Sequence, residues 1–324
     1  MKYKLSIVVP MYNAEPYVVD CLESILKSDL PVGEYEVVIV NDGSTDGSKA
    51  LVENYINGRE DFYYVEQENQ GSSGARNTGI KCCHGEYIWF VDADDRIDSS
   101  ETRKAYDKLI SLWSIDVLAF QLKEVTEDGR FINLSCTQPG VPQNIVISGR
   151  DAIISGYAPS SVCALFLRRE MLVEQGLFFK MGMTHQDVEL TYRLMTVAEK
   201  VMFTDMVPYL YIRRNNTIST SVNPQKKIKY LGDELLVYQT FKDLASHYSN
   251  HPELCFVIDD RANNILWGML LTLYRNKKQW KPLGINETVI NMMKEKGLYP
   301  IDCSLYDWKK RIVLLFLNRQ SVLC

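Results

Sequence analysis

The stretch that most constrains this chain is Tyr87-Ile88-Trp89-Phe90-Val91-Asp92-Ala93-Asp94-Asp95, an apolar run that ends in three carboxylates. An unbroken run of aromatic and β-branched residues reads as a strand buried on both faces, the pattern of a parallel sheet covered by helices on either side. Ionised carboxylates have no place inside such a sheet. Asp92, Asp94 and Asp95 therefore fall where the strand leaves it, at the carboxyl end, where open α/β sheets bind ligands. Two carboxylates separated by one residue can aim oxygens at a single hard cation, and that cation can bridge to substrate phosphate. A polar turn capping the next helix is the competing account of the same residues.

The segments before it repeat one design. Leu5-Ser6-Ile7-Val8-Val9 reads as a short strand stopped by Pro10. Pro16 suits the first turn of a helix that puts Val19, Leu22, Ile25 and Leu26 on one face. A second strand, Val37 to Val40, leads into the turn Asn41-Asp42-Gly43-Ser44-Thr45-Asp46-Gly47-Ser48. Helix capping explains Thr45 and Asp46, whereas Asp42 sits at the strand's carboxyl end, beside the expected crevice. A third strand, Phe62 to Val65, precedes Gly71-Ser72-Ser73-Gly74-Ala75-Arg76-Asn77, a loop opening a helix. Such a start offers free N–H groups to an anion, and Arg76 adds a positive charge, with a structural salt bridge as its alternative role. The Tyr87 strand completes a βαβαβαβ pattern and predicts a mostly parallel α/β sheet.

Taken together, Ser6-Ile7-Val8-Val9-Pro10-Met11-Tyr12-Asn13, Asn41 to Asp46, Gly71 to Asn77 and Asp92-Ala93-Asp94-Asp95 resemble, in order and spacing, the successive motifs of glycosyltransferase family 2. The resemblance implies a GT-A fold, Rossmann-like with helices on both faces of the sheet, and inverting transfer of a sugar from a nucleotide diphosphate donor. It implies that Pro10, Tyr12, Asn13, Glu15, Asp42, Arg76, Asp92 and Ala93 line the nucleotide-sugar pocket. Asp94 and Asp92, with Asp95 as a further candidate, would bind Mn²⁺ or Mg²⁺ against the diphosphate. The chemistry agrees, because a departing diphosphate needs its charge neutralised.

In the middle of the chain, Ser161 to Leu172 predicts a strand running into a helix that Gly176 closes. His185-Gln186-Asp187-Val188-Glu189 opens another helix, and the resemblance implies that Asp187 is the general base accepting the acceptor's hydroxyl proton. An acid in a first turn also stabilises the helix dipole, and Glu189 is the next candidate base. The family usually has Glu where Gln186 stands. His185, Arg213 and Arg214 are candidate diphosphate or acceptor contacts, the arginines beginning a basic, hydroxyl-rich stretch that runs to Ser221.

A break at Asn223-Pro224 predicts a division into a catalytic part, 1–222, whose halves 1–97 and 98–222 take donor and acceptor, and a helical extension, 223–324. In the extension, Ile228, Leu231, Leu235, Tyr238, Phe241, Ala245 and Tyr248 form one helical stripe. Ile258, Ile265, Trp267, Leu270, Leu271 and Tyr274 form a second, and a third helix runs from Val289 to Lys296. Near the end, Trp308 and the cations Lys309, Lys310, Arg311 and Arg319 flank Ile312 to Leu317, a segment suited to peripheral membrane contact.

Composition narrows the function classes. A net charge of -5 over 324 residues argues against nucleic acid as partner. No apolar run reaches the length of a membrane span, and Lys2 and Lys4 precede no secretory signal, so a cytoplasmic enzyme is expected. Eight scattered cysteines without a C-x-x-C pair predict reduced thiols. The expected activity is transfer from a UDP-sugar to a glycan or lipid-linked glycan in surface-polysaccharide synthesis. A catalytically silent nucleotide-sugar-binding module is the alternative. A nucleotidyltransferase fits less well, because Met11 to Glu15 lacks the basic, glycine-rich loop such enzymes place after the first strand.

Overall fold

A computed structural model describes residues 3–112, 114–158, 161–214 and 223–323. The chain divides into two compact units, Met1–Arg214 and Asn215–Cys324.

The first unit alternates strands and helices: β1 (Leu5–Met11), α1 (Val18–Leu26), β2 (Tyr35–Asn41), α2 (Ser48–Ile56), β3 (Phe62–Glu66), α3 (Gly71–Cys82) and β4 (Tyr87–Phe90). It continues with β5 (Arg96–Ile97), α4 (Ser99–Ser111), β6 (Val117–Ala119), β7 (Leu122–Thr126), β8 (Phe131–Ser135), β9 (Val146–Ile147) and α5 (Gly149–Ile154). The last elements are β10 (Leu165–Arg168), α6 (Arg169–Glu174), α7 (Gln186–Val197), β11 (Val201–Phe203) and β12 (Tyr209–Arg213).

Eight strands form one sheet in the order β3-β2-β1-β4-β10-β6-β11-β9. From β3 to β4 every pairing is parallel, and β10 then runs antiparallel between β4 and β6. The chain moves outward from β1 to β3 and returns to place β4 on β1's other side, so β1 and β4 flank the reversal point, the position at whose carboxyl ends open α/β sheets bind ligands. All four β4 residues are buried, as their two-sided apolar pattern requires. Trp89 packs edge-on against Phe120 and Phe166 and donates its indole N–H to the Cys163 carbonyl at 2.9 Å. Deleting that ring would cost about 3 to 5 kcal/mol.

Pro10 does not stop β1, which continues to Met11. The Val8 carbonyl accepts from Val91 and that of Met11 from Asp42, so alternate residues address β4 and β2. Pro10 shares the side of Val8, at a level where β4 has already ended, and no donor is missed there. Helix α1 begins at Val18 rather than Pro16. It buries Val18, Cys21, Leu22 and Ile25, while Leu26 is exposed. Helix α3 lies close over β1, and a side chain at Gly79 would collide with Val8. Gly176, at φ +60°, ends α6 in the left-handed conformation expected of it.

A second sheet, β5-β12-β7-β8, has no counterpart in the sequence expectations. Its short strands bring Tyr209 and Ile212 against the loop after β4.

The second unit is helical: α8 (Pro224–His247), α9 (Pro252–Arg275), α10 (Lys277–Trp280), α11 (Ile285–Glu295), α12 (Trp308–Leu317) and α13 (Gln320–Leu323). The α8 stripe is buried at Leu231, Leu235, Tyr238, Phe241 and Ala245. On α9 the inward face is Leu254, Ile258, Ala262, Leu266, Met269, Leu270 and Leu273, and Tyr274, expected in the stripe, is exposed. Helix α11 starts at Ile285, four residues before the expected Val289. No described helix is long and apolar enough to cross a membrane. No disulfide joins the described cysteines, of which Cys21, Cys83 and Cys163 are buried.

Candidate functional site

Three loops meet at the carboxyl ends of β1, β2 and β4. In the first, Asn13 Oδ1 accepts from Thr45 N at 2.8 Å and its own N–H donates to Ser44 Oγ at 3.0 Å. Glu15 Oε2 accepts from Gly47 N at 2.8 Å, so Glu15 is engaged in holding the start of α2. Tyr12 is exposed at 52% and free to stack on a ligand. In the second loop Asp42 is buried. Its Oδ1 accepts from Gln67 Nε2 at 2.7 Å and from Gln70 N at 2.9 Å, which fixes the approach to α3.

The three acids after β4 point in different directions. Asp95 is buried and accepts from Tyr209 Oη at 2.7 Å and from Ile212 N at 2.8 Å. It ties the loop to β12. Asp94 has a side chain 52% exposed and pairs with Arg214 Nη1 at 3.1 Å. Although its tip is exposed, partial desolvation by the surrounding loops and the neighbouring Asp92 shift its carboxyl above the usual range, with Arg214 acting against them. Asp92 receives Arg76 Nη2 at 2.7 Å, while its N–H donates to Tyr209 Oη at 3.2 Å. Ala93, between them, is buried.

Arg76 is not at the mouth of α3. It lies in the second turn, buried, with its guanidinium over the Phe179 ring. Besides Asp92 it reaches Asp187, Nη1 to Oδ1 at 3.3 Å. The structural ion pair kept open for Arg76 is thus present, and it joins two of the candidate site acids.

Asp187 stands in the first turn of α7, directly after the His185-Gln186 start. Its Oδ2 accepts from Ser161 Oγ and Val162 N, both at 3.3 Å. Burial and Asp92 raise its carboxyl above the ordinary range, and Arg76 pulls it back. Gln186 is buried and bridges α7 to α3, Oε1 accepting from Ser73 Oγ and Nε2 donating to Ser72 Oγ at 2.6 Å. Glu189 is fully buried, clasped by Arg193 and Lys180 at 2.9 Å each, which commits it to an internal salt-bridge cluster. Arg213 pairs with Glu124 at 2.9 Å and Arg214 stacks 4.2 Å over Tyr17. The rest of the basic, hydroxyl-rich stretch, from Asn215 to Ser221, lies outside the described residues.

Sequence reasoning missed Ser161, Cys163 and Tyr209. Cys163 Sγ donates to Asp92 Oδ2 at 3.8 Å, and burial pushes its thiol pKa well up. Only Ser161 carried a local signal, a hydroxyl just before an apolar run.

Asp92 and Asp94 suit a hard divalent cation in donor type and spacing. Among the described residues no group of three or more His, Cys, Asp or Glu is placed to hold a metal. The protein would contribute two carboxylates, with diphosphate and water completing the shell, a common arrangement for Mg²⁺.

The family model described as Glycosyl transferase family 2 matches residues 6–162. The chain is 29% identical over 225 residues to the uncharacterized glycosyltransferase YibD of Escherichia coli (strain K12), covering 67% of this chain and 63% of that protein. It is 34% identical over 177 residues to the poly(ribitol-phosphate) beta-N-acetylglucosaminyltransferase TarS of Staphylococcus aureus (strain Mu50), covering 54% of this chain and 29% of TarS. The chain therefore spans less than two thirds of either relative. The crystal structure of S. aureus TarS 1-349 in complex with UDP-GlcNAc matches with a TM-score of 0.66 at 24% identity, covering 98% of this chain and 88% of that one. The mannosyltransferase PcManGT from Pyrobaculum calidifontis, in complex with GDP-Man and Mn²⁺, matches with a TM-score of 0.53 at 16% identity, covering 100% and 86%. These structural likenesses establish a shared GT-A fold.

Proposed function

This chain belongs, through residues 6–162, to glycosyl transferase family 2, and on that premise we propose that it is an inverting glycosyltransferase moving a sugar from a UDP-sugar to a hydroxyl of a surface glycan or its lipid-linked precursor. The observation that carries the proposal is the array Asp92, Arg76 and Asp187 beside Asp94 at the carboxyl end of β4, two carboxylates bridged by one guanidinium. TarS, named as an N-acetylglucosaminyltransferase and crystallised with UDP-GlcNAc, supports an N-acetylhexosamine donor.

In this mechanism the nucleoside lies over the loops after β1 and β2, against Pro10, Tyr12, Asn13, Glu15 and Asp42, with Asp92 and Ala93 beneath it. Asp94 and Asp92 would hold Mn²⁺ or Mg²⁺, which when bound supplies neutralisation of the diphosphate charge. The cation in the PcManGT complex supports that choice. Residues 1–97 take the donor and 98–222 the acceptor. The acceptor hydroxyl attacks the anomeric carbon on the face opposite the diphosphate. Its oxygen–carbon bond forms as the carbon–diphosphate bond breaks, and its proton passes to Asp187. The raised proton affinity of Asp187 makes it a stronger base than an exposed aspartate. His185, Arg213 and Arg214 are assigned to acceptor or diphosphate contacts, a reading that the Arg214–Asp94 pair supports for Arg214. A lipid-linked acceptor would make the enzyme peripheral on the inner face of the cell membrane.

Isothermal calorimetry with a panel of sugar nucleotides, followed by transfer assays on Asp187→Asn, tests the proposal. Donor binding with turnover reduced by about 10² to 10⁴ is expected of a lost general base. Donor binding without turnover in the unaltered protein, given a range of acceptors, would identify a silent binding module instead.

A further inference from the structure

Helix α12 turns its apolar residues toward solvent. Its inner side is made by Leu314 and Leu317, both buried, and by Lys310, whose Nζ donates to Asn264 Oδ1 at 2.7 Å. At 3.6 residues per turn, Trp308, Ile312 and Leu315 share the opposite side, with Phe316 next to them. Trp308 is exposed at 67%, Ile312 at 61%, Leu315 at 64% and Phe316 at 46%. A surface helix ordinarily presents polar residues there, and a contiguous apolar stripe of this kind marks a contact surface.

The surrounding charges identify what fits it. Residues 308–319 contain Lys309, Lys310, Arg311 and Arg319 and no acid, although the whole chain carries -5. Lys309 borders the stripe on one flank and Arg311 on the other, and Arg319 is exposed two residues past the end of the helix. The Arg311 guanidinium is held in place by the carbonyls of Tyr306 and Ser304, at 2.5 and 3.1 Å. Asp307, the nearest acid in the sequence, is spent capping the helix on Lys309 N and Lys310 N. A second copy of the chain would bring the same cations to face these, a repulsive pairing. A bilayer with anionic headgroups offers apolar depth under the stripe and negative charge along its rim. Helix α12, with 10 residues, is far too short to span one.

We propose that α12 docks the protein on an anionic lipid surface and lies in the plane of the interface. Trp308, Ile312, Leu315 and Phe316 enter the acyl boundary while Lys309, Arg311 and Arg319 meet headgroup phosphates. The proposal stands on α12 alone and survives if the transferase reading fails.

The test is sedimentation of the full chain with phosphatidylcholine vesicles, with and without phosphatidylglycerol. Binding is expected only to the anionic vesicles, weakening with salt. Ile312→Ser with Leu315→Ser should reduce it on the order of a hundredfold, by the apolar area withdrawn. Lys309→Gln with Arg319→Gln should reduce it roughly fivefold per cation removed. These side chains are exposed, so thermal melts of both double variants should match the parent. Equal binding to both vesicle types, or binding to neither, overturns the proposal. So does a dimer in sedimentation equilibrium that Ile312→Ser with Leu315→Ser dissolves while lipid binding persists, because the occupant is then a second copy.

Discussion

Arg76 reaches Asp187 with Nη1 3.3 Å from Oδ1 while its other terminal nitrogen holds Asp92 at 2.7 Å, so the acid assigned to the donor and the acid assigned to the acceptor share one buried counter-charge. The guanidinium bridges α3, the loop after β4 and α7, the last of them 111 positions on from Arg76. Its planar fork suits two carboxylates in a way an ammonium does not.

Arg76→Gln leaves both acids without a counter-charge. Because each keeps part of its surface in water, the expected loss of stability is about 2 to 4 kcal/mol, near the lower end for a broken buried pair. Asp187 also loses the influence that lowers its proton affinity. The acid limb of the rate profile should therefore move to higher pH, and fewer molecules carry the free base at a given pH below neutrality. Urea unfolding and rate measurements across pH check the two effects separately. A variant with lowered stability but an unmoved acid limb would separate Arg76 from the base.

Asp94→Asn keeps the side chain's size but gives up a charged oxygen ligand. In the unaltered protein, Mn²⁺ and UDP together should raise the melting temperature more than either alone, a complex at a hundred times its dissociation constant adding about 2.7 kcal/mol. The variant should retain the nucleotide part and lose the metal-dependent part. The measurement is a set of melts with each ligand, both, and both with chelator. If chelator leaves the stabilisation of the unaltered protein intact, the cation role of Asp94 is excluded.

How far the sequence foretold this arrangement depended on whether the cause was local. The β4 run was legible because burial on both faces leaves an unbroken apolar signature, and α7 because a helix start writes acids into its first turn. That Asp95 is held inward was not legible. Asp95 is drawn inward by Tyr209, 114 positions away, and nothing near Asp95 encodes that partner. For Arg76 the pattern leaves a charge near a helix start and a structural salt bridge both open, and its partner Asp187, 111 positions on, leaves no local trace. The second sheet escaped because strands such as Arg96–Ile97 are too short to show alternation. Periodicity gave the α9 stripe only in part, at Ile258 and Leu270, because nearly every turn of α9 carries apolar residues on more than one side.

Glu234 on α8 gives a pH-dependent stability unrelated to the site. Burial raises its carboxyl pKa to about 7, with Lys227 acting weakly against it. A group whose folded pKa lies above its unfolded value, about 4.3 for glutamate, favours the folded state fully below the unfolded value and loses that contribution as pH rises through the folded one. Glu234→Gln removes the titration. The variant should match the parent near pH 4 and become more stable, by on the order of 1 to 3 kcal/mol, above pH 7. Urea midpoints at acid and alkaline pH decide it, and a difference that does not vary with pH would refute the assignment to Glu234.

Gln186 offers the sharpest distinction between holding Asp187, the proposed base, and tuning it. Its amide accepts from Ser73 Oγ and donates to Ser72 Oγ, fastening the first turn of α7, and with it Asp187, to the first turn of α3. Gln186→Leu fills similar space but leaves two hydroxyls without these partners, one of them on the buried Ser73. A stability loss of about 1 to 3 kcal/mol is expected from the unsatisfied groups. Transfer should fall by more than donor binding, because the misplacement is at the base. Gln186→Glu acts differently. Both hydroxyls can turn to donate to a carboxylate, so the fastening survives and stability should stay within about 1 kcal/mol of the parent. The new negative charge, one residue from Asp187 and on the same helical turn, adds to the influence of Asp92 in raising the base's proton affinity. Its acid limb should therefore move to higher pH, with the plateau rate retained. Rate profiles of the two variants, set beside their melting temperatures, separate the effects. Gln186→Glu with an unchanged pH profile would show that residue 186 does not sense the charge of the base.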